Sequence, residues 1–201
     1  MGDKKQETIT RYLGDMKSVV SHVHTAMERQ KDEFKDKPDV AQTIARIALS
    51  LKRQDDALGA RLGALGGSPT HPVKEAVSDA LGVVAGLYNK VRTEGAAKGL
   101  RDDHVALNLV YMSYSTLHTT ALALGDSETA ALAKRSFIEV AKFVSDVDHL
   151  VPPTVFVELQ DGDFGTLDSG ASQQTLAAMR EAWVGPEQTE RAAGGSMAGQ
   201  A

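Results

Sequence analysis

The chain has no cysteine among its 201 residues. That excludes disulfides, thiolate metal sites and thiol nucleophiles, so any metal would need histidine and carboxylate ligands. Aromatic residues make up 5% of the chain, with a single tryptophan. No run approaches the ~20 apolar residues that a membrane-spanning helix requires, and the opening MGDKKQETIT lacks the apolar core of a signal peptide. The expectation is a soluble, cytoplasmic protein. Basic residues number 22 against 27 acidic ones, a net charge of -5, and no Lys/Arg cluster is placed to neutralise phosphates. Nucleic acid is therefore not an expected partner. Strand signals are almost absent, apart from TVFVEL at 154–159, where alternating Val155, Val157 and Leu159 suggest a short extended segment.

Helical periodicity, by contrast, fills the chain. Ile9, Leu13, Met16, Val20, Val23 and Met27 recur at spacings of three and four, which predicts a first helix reaching about Phe34. Pro38 opens a second, with Val40, Ile44, Ile47, Leu51, Leu58 and Leu62 inward, one polar position at Asp55, and Gly66 and Gly67 as its stop. A third follows SPTHP, carrying Val73, Val77, Leu81, Val84, Tyr88 and Val91, until glycines between 95 and 99 break it. Asp102 or Asp103 is placed to cap a fourth, which holds LVYMSYSTLHTTALALG and stops at Gly125. The fifth begins at Asp126 or Ser127, turns Leu132, Ser136, Val140, Phe143, Val147 and Leu150 inward, and is expected to end at Pro152 and Pro153.

The link from 66 to 101 contains a helix of about 24 residues, which at ~1.5 Å per residue spans roughly 36 Å, the length of the bundle itself. Such a link returns the chain to the starting end and sets the second and fourth helices parallel. The predicted fold is an all-α, ferritin-like four-helix bundle with a long helical crossover. The bundle is assigned to residues 1–151. Residues 152–201 form a C-terminal arm, in which DGDFGTLDSG reads as a loop, Leu176, Met179 and Trp183 mark a short amphipathic helix, and the rest is a tail with little apolar surface.

SYSTLHTTALALGDSETAALAKRSFIEV resembles the bacterial YciE/YciF family of ferritin-like, stress-associated proteins, with Tyr114, Thr116, Leu117, Leu124, Gly125 and Glu139 in register. GDMKSVV and ARLGALGG extend the resemblance to the first hairpin, so that it covers roughly the first 150 residues. The resemblance implies a bacterial cytoplasmic setting and a scaffold that holds two metal ions between its helices through inward carboxylates and Glu-x-x-His pairs. This chain departs from that pattern. Leu107, Asn108, Leu109 and Val110 stand where the family has Glu-His-Tyr-Glu, Val20 falls near the first-helix carboxylate and Leu51 near the second-helix histidine. Glu139 alone remains, which implies a scaffold whose di-iron ligands are mostly lost.

The inward polar residues are Asp55, Tyr111, Tyr114, His118 and Glu139. Tyr111, Tyr114 and His118 lie within ~60° of one helical face, a geometry suited to a ligand pocket. Asp55 and Glu139 are the weak metal candidates. The alternative for all five is a hydrogen-bonded network filling the bundle centre. His22 and His24 point about 160° apart on a helix and cannot share one ion. The aspartates of DGDFGTLDSG lack the ligand order of a calcium loop, with Ser172 where the closing glutamate belongs. The expected function is therefore non-catalytic, in binding or assembly, with no cofactor. Two alternatives stand beside it: an iron-binding oxidoreductase or store with an atypical site around Glu139, Asp55 and His118, and a small-molecule binder around the tyrosines. A homo-oligomer, at least a dimer, is expected, with Leu176, Met179 and Trp183 available to a protein partner.

Overall fold

Alternation of helix formers with one apolar stripe per segment produces long helices, and the computed structural model describes residues 2–67 and 95–184 of the chain. Helix α1 spans Asp3–Glu33 and α2 spans Pro38–Ala64, the latter with proline in its first turn. Helix α3 spans Ala96–Leu124, α4 Ser127–Gln160 and α5 Ala171–Val184. No strand occurs among the described residues. The predicted crossover helix carrying Val73 to Val91, and the tail after 184, lie outside them.

Two stretches differ from the sequence-based expectation. The fourth predicted helix starts before its supposed caps, so Asp102 and Asp103 are buried within α3 rather than capping it. The initiating residue is Gly95, whose φ of 92° is one that glycine adopts readily. Gly99, read as part of a break, is instead a close-packing position. A Cβ there would come within 2.6 Å of the Phe34 ring. The second difference is at Pro152 and Pro153, which lie inside α4 rather than ending it, so TVFVEL is helical and not extended. Neither proline can donate to the carbonyl four residues earlier, a loss that a flanking helix can absorb when its other bonds persist. Thr154, which follows them, also donates its hydroxyl to the Leu150 carbonyl at 2.7 Å.

The chain divides into two units, 1–148 and 149–201. In the first, α1 packs against both α2 and α3. The α2/α4 contacts run Arg46 to Asp146, Gln54 to Glu139 and Arg61 to Glu128, with one number rising as the other falls. These helices are therefore antiparallel. Tyr111 and His118 of α3 contact Phe137 of α4, and His104 bonds Asp148, so α3 is antiparallel to α4 as well. It follows that α2 and α3 run parallel as diagonal partners, the arrangement expected of a long crossover. Ile9, Leu13, Ile44, Leu51, Leu107, Val110 and Val140, all fully buried, line the centre. Each such side chain contributes about 1.5–3 kcal/mol of hydrophobic stabilisation.

The α4 start is fixed by polar contacts. Asp126 caps it by accepting from the Thr129 backbone amide at 3.0 Å. Arg61 of α2 reaches across to Asp126 at 2.7 Å and to Thr129 at 2.9 Å, and also bonds Glu128. In the second unit, Leu176 and Met179 are half-buried on α5, whereas Trp183 is 79% exposed and Phe164 in the preceding loop 65%. Within that loop Asp168 accepts from the Gly170 amide at 2.8 Å, closing a turn.

Candidate functional site

At mid-height the apolar stripes of the first unit are interrupted by a layer of polar side chains. The layer takes one residue from α1 (Lys17), three from α2 (Ser50, Gln54 and Asp55), Tyr114 from α3, and Ser136 and Glu139 from α4. Lys17 donates to Asp55 at 2.8 Å, and both side chains are mostly withdrawn from solvent. Gln54 is 5% exposed and donates its amide to Glu139 at 3.0 Å. Arg53 lies 3.7 Å from the other Glu139 oxygen.

Tyr114 is fully buried. Burial pushes its hydroxyl well above the usual tyrosine range. The neighbouring Ser136 hydroxyl opposes that shift, and the charges of Asp55 and Glu139 add to it. Ser136 is thus close to Tyr114, yet the Tyr114 Oη makes no hydrogen bond of normal geometry among the described residues, and neither does Gln54 Oε1.

The sequence-predicted candidates separate into two groups. Tyr114, Asp55 and Glu139 belong to the central layer. Tyr111 and His118 do not enter it. They are half-buried on the α3 flank and clasp Phe137 edge-on, with ring centroids 6.0 and 5.5 Å away. The physical reason is angular: they lie two helical turns apart on nearly one line, rotated about 40–60° from Tyr114 toward α4. Lys17, Gln54 and Ser50 were not singled out by the sequence reading. Gln54 was legible, since it falls at the i+3 position from Leu51 and the i−4 position from Leu58. Lys17 was not, because only a neighbouring helix makes a lysine beside a stripe an inward partner.

Four of the positions that the family resemblance assigns to metal ligands are apolar and closed. Val20, Leu51, Leu107 and Val110 are fully buried, while Asn108 turns back to the His104 carbonyl at 2.9 Å. Among the described residues no three histidine or carboxylate side chains converge as a metal site would require. His22 bonds its own helix at the Ser18 carbonyl, 3.0 Å away. No described helix is long and apolar enough to cross a membrane.

No protein-family model matches the sequence, and no curated protein matches it. Solved structures do match in shape. Bacterioferritin of Desulfovibrio desulfuricans, a protein with a di-iron site, superposes with a TM-score of 0.64 at 17% identity, over 85% of this chain and 99% of that one. A protein from Xanthomonas campestris pv. campestris gives 0.61 at 16% identity, over 79% and 97%. An archaeal Dps homologue from Halobacterium salinarum gives 0.59 at 19%, over 85% and 88%. At such identities the likeness is one of architecture, and the chain has a ferritin-like helical fold.

Proposed function

We propose that this is a ferritin-like protein without a resident di-iron centre, acting in binding or assembly rather than in catalysis. The observation that carries the reading is the bundle centre. Apolar side chains of Val20, Leu51, Leu107 and Val110 occupy four of the ligand positions, and Asp55, a half-buried carboxylate of the central layer, is matched by the Lys17 ammonium. Two ferrous or ferric ions need several oxygen or imidazole donors at one level to offset the loss of hydration. The residues present do not fit that group. A lysine beside the central carboxylate supplies one positive charge where a metal pair would supply four or more. Incubation with ferrous iron followed by desalting and elemental analysis tests the reading. The expected result is no stoichiometric iron, and retained iron with oxidase activity overturns it.

Assembly is supported by the outer surface of α3. From Val105 to Gly125 the chain has no Asp, Glu, Lys or Arg, although Val105, Met112 and Leu122 are 43%, 57% and 59% exposed. Thr116 and Thr119 donate their hydroxyls to carbonyls of their own helix, at 3.0 and 3.1 Å, which satisfies their polar groups locally. A surface helix ordinarily carries charge on its outer face, and an uncharged one is suited to burial. Self-association along this face brings no like charges together in a chain of net charge -5. Exposed Trp183 and Phe164 give the second unit apolar anchors of its own for a protein partner, beside Leu176 and Met179. A homo-oligomer, at least a dimer, in a bacterial cytoplasm and with a stress-associated role is the setting that this reading adopts.

A further inference from the structure

The central layer contains two buried polar atoms without a hydrogen-bond partner of normal geometry among the described residues, and they belong to diagonal helices. Tyr114 Oη comes from α3 and Gln54 Oε1 from α2. Both residues are directed at the same turn of α4. Gln54 bonds Glu139 through its amide nitrogen, and Tyr114 lies beside Ser136. Residues 136 and 139 are separated by a rise of about 4.5 Å along that helix. The two residues therefore approach one turn of α4.

We propose that a single buried water molecule bridges Tyr114 Oη and Gln54 Oε1, with Ser136 Oγ as its third partner. The hydrogen-bonding roles fit. Gln54 Oε1 is an acceptor only, its nitrogen being the donor already used on Glu139, so it takes one hydrogen from the ligand. The ligand in turn accepts the Tyr114 hydroxyl hydrogen and directs its second hydrogen to Ser136. A molecule that donates twice, accepts once and has the size of one hydroxyl is water, and buried waters typically make about three such bonds. The charge balance also selects a neutral occupant. Asp55 is matched by Lys17, and Glu139 is held by Gln54 and approached by Arg53, so the layer has no unopposed carboxylate to attract a cation.

The proposal rests on the metal-free reading of the centre, and the experiment separates the two. A crystal structure of the full chain, at a resolution that shows ordered water, is expected to place one density peak at about 2.7–3.1 Å from both oxygens. An anomalous signal at the iron edge at that place overturns both the water and the metal-free reading. An empty site overturns the water alone. The energetic counterpart is Tyr114→Phe, which removes one oxygen and leaves the ring. If the water is there, Tm falls by about 2–4 °C, because the hydroxyl is a satisfied group. An unchanged or raised Tm overturns the proposal. Gln54→Leu combined with Tyr114→Phe is expected to cost less than the sum of the two single changes, whereas strict additivity counts against a shared bridge. Should Gln54→Leu fail to fold, the peak and the Tyr114→Phe result decide.

Discussion

Tyr114 and Asp15 illustrate how a single buried group sets a pH dependence. Burial raises the Tyr114 value, so the folded state disfavours its ionised form. Its contribution is complete below the ordinary tyrosine value near 10 and is lost as pH rises toward the higher folded value. Alkaline denaturation followed by circular dichroism is accordingly expected to be shallower in Tyr114→Phe than in the parent chain. Asp15 is a second case of the same sign at acid pH. Burial raises its carboxyl and Arg11 opposes the rise, while its Oδ1 has no hydrogen-bond partner among the described residues. The stabilising form is the protonated one, lost as pH climbs through the folded value. At neutral pH Asp15→Asn is expected to increase stability, by less than about 1 kcal/mol because the site is only partly withdrawn from solvent. A urea titration at pH 7 that shows destabilisation contradicts this.

Element boundaries are set by contacts between helices as much as by local sequence, and the α4 start is the clearest instance. Asp126 is almost wholly buried under Arg61. Burial alone would raise its carboxyl, but the bonds from Arg61 and Thr129 outweigh that and hold it below the usual range. Its contribution is present above the ordinary carboxylate value and is lost as pH falls through the folded one. Arg61→Ala leaves that carboxylate unpaired and is expected to cost about 3 kcal/mol in chemical denaturation, with a weaker acid dependence. Arg61→Lys restores only part, since one ammonium cannot serve three acceptors arranged for a guanidinium fork. The cap at Asp126, the proline at the α2 start and the stripes of α1 and α2 were all legible in the sequence, because each is a local signal. The continuation of α4 through Pro152 and Pro153 was not. Periodicity registers a proline as a stop, whereas the structure retains the helix on both sides of it. The α3 start was missed for a related reason: Gly99 signals a break in sequence, and only the Phe34 ring packed over it explains a glycine inside a helix.

For the whole molecule, topology was legible from lengths and the site was legible mainly by subtraction. Parallel α2 and α3 followed from a link too long for a simple turn. That Tyr114 is inward while Tyr111 and His118 sit on a flank required the neighbouring helix, since a 60° difference on one helix does not say which side faces a partner. The Lys17 to Asp55 pair joins residues 38 apart in sequence, and nothing local announces it. Self-association is the prediction that belongs to this scale. Met112→Lys is expected to shift the native mass toward monomer in sedimentation, and Trp183→Ala tests the second unit in the same way. A mass unchanged by either substitution argues against those faces as contacts.

The uncharged length of α3 also governs how its surface can be observed. No lysine or arginine lies between Arg101 and Lys134, so beyond the first turns of that helix trypsin has no cleavage site and amine-directed cross-linkers have no target. The informative reporter is the thioether of Met112, which oxidants reach when the face is open and spare when it is covered.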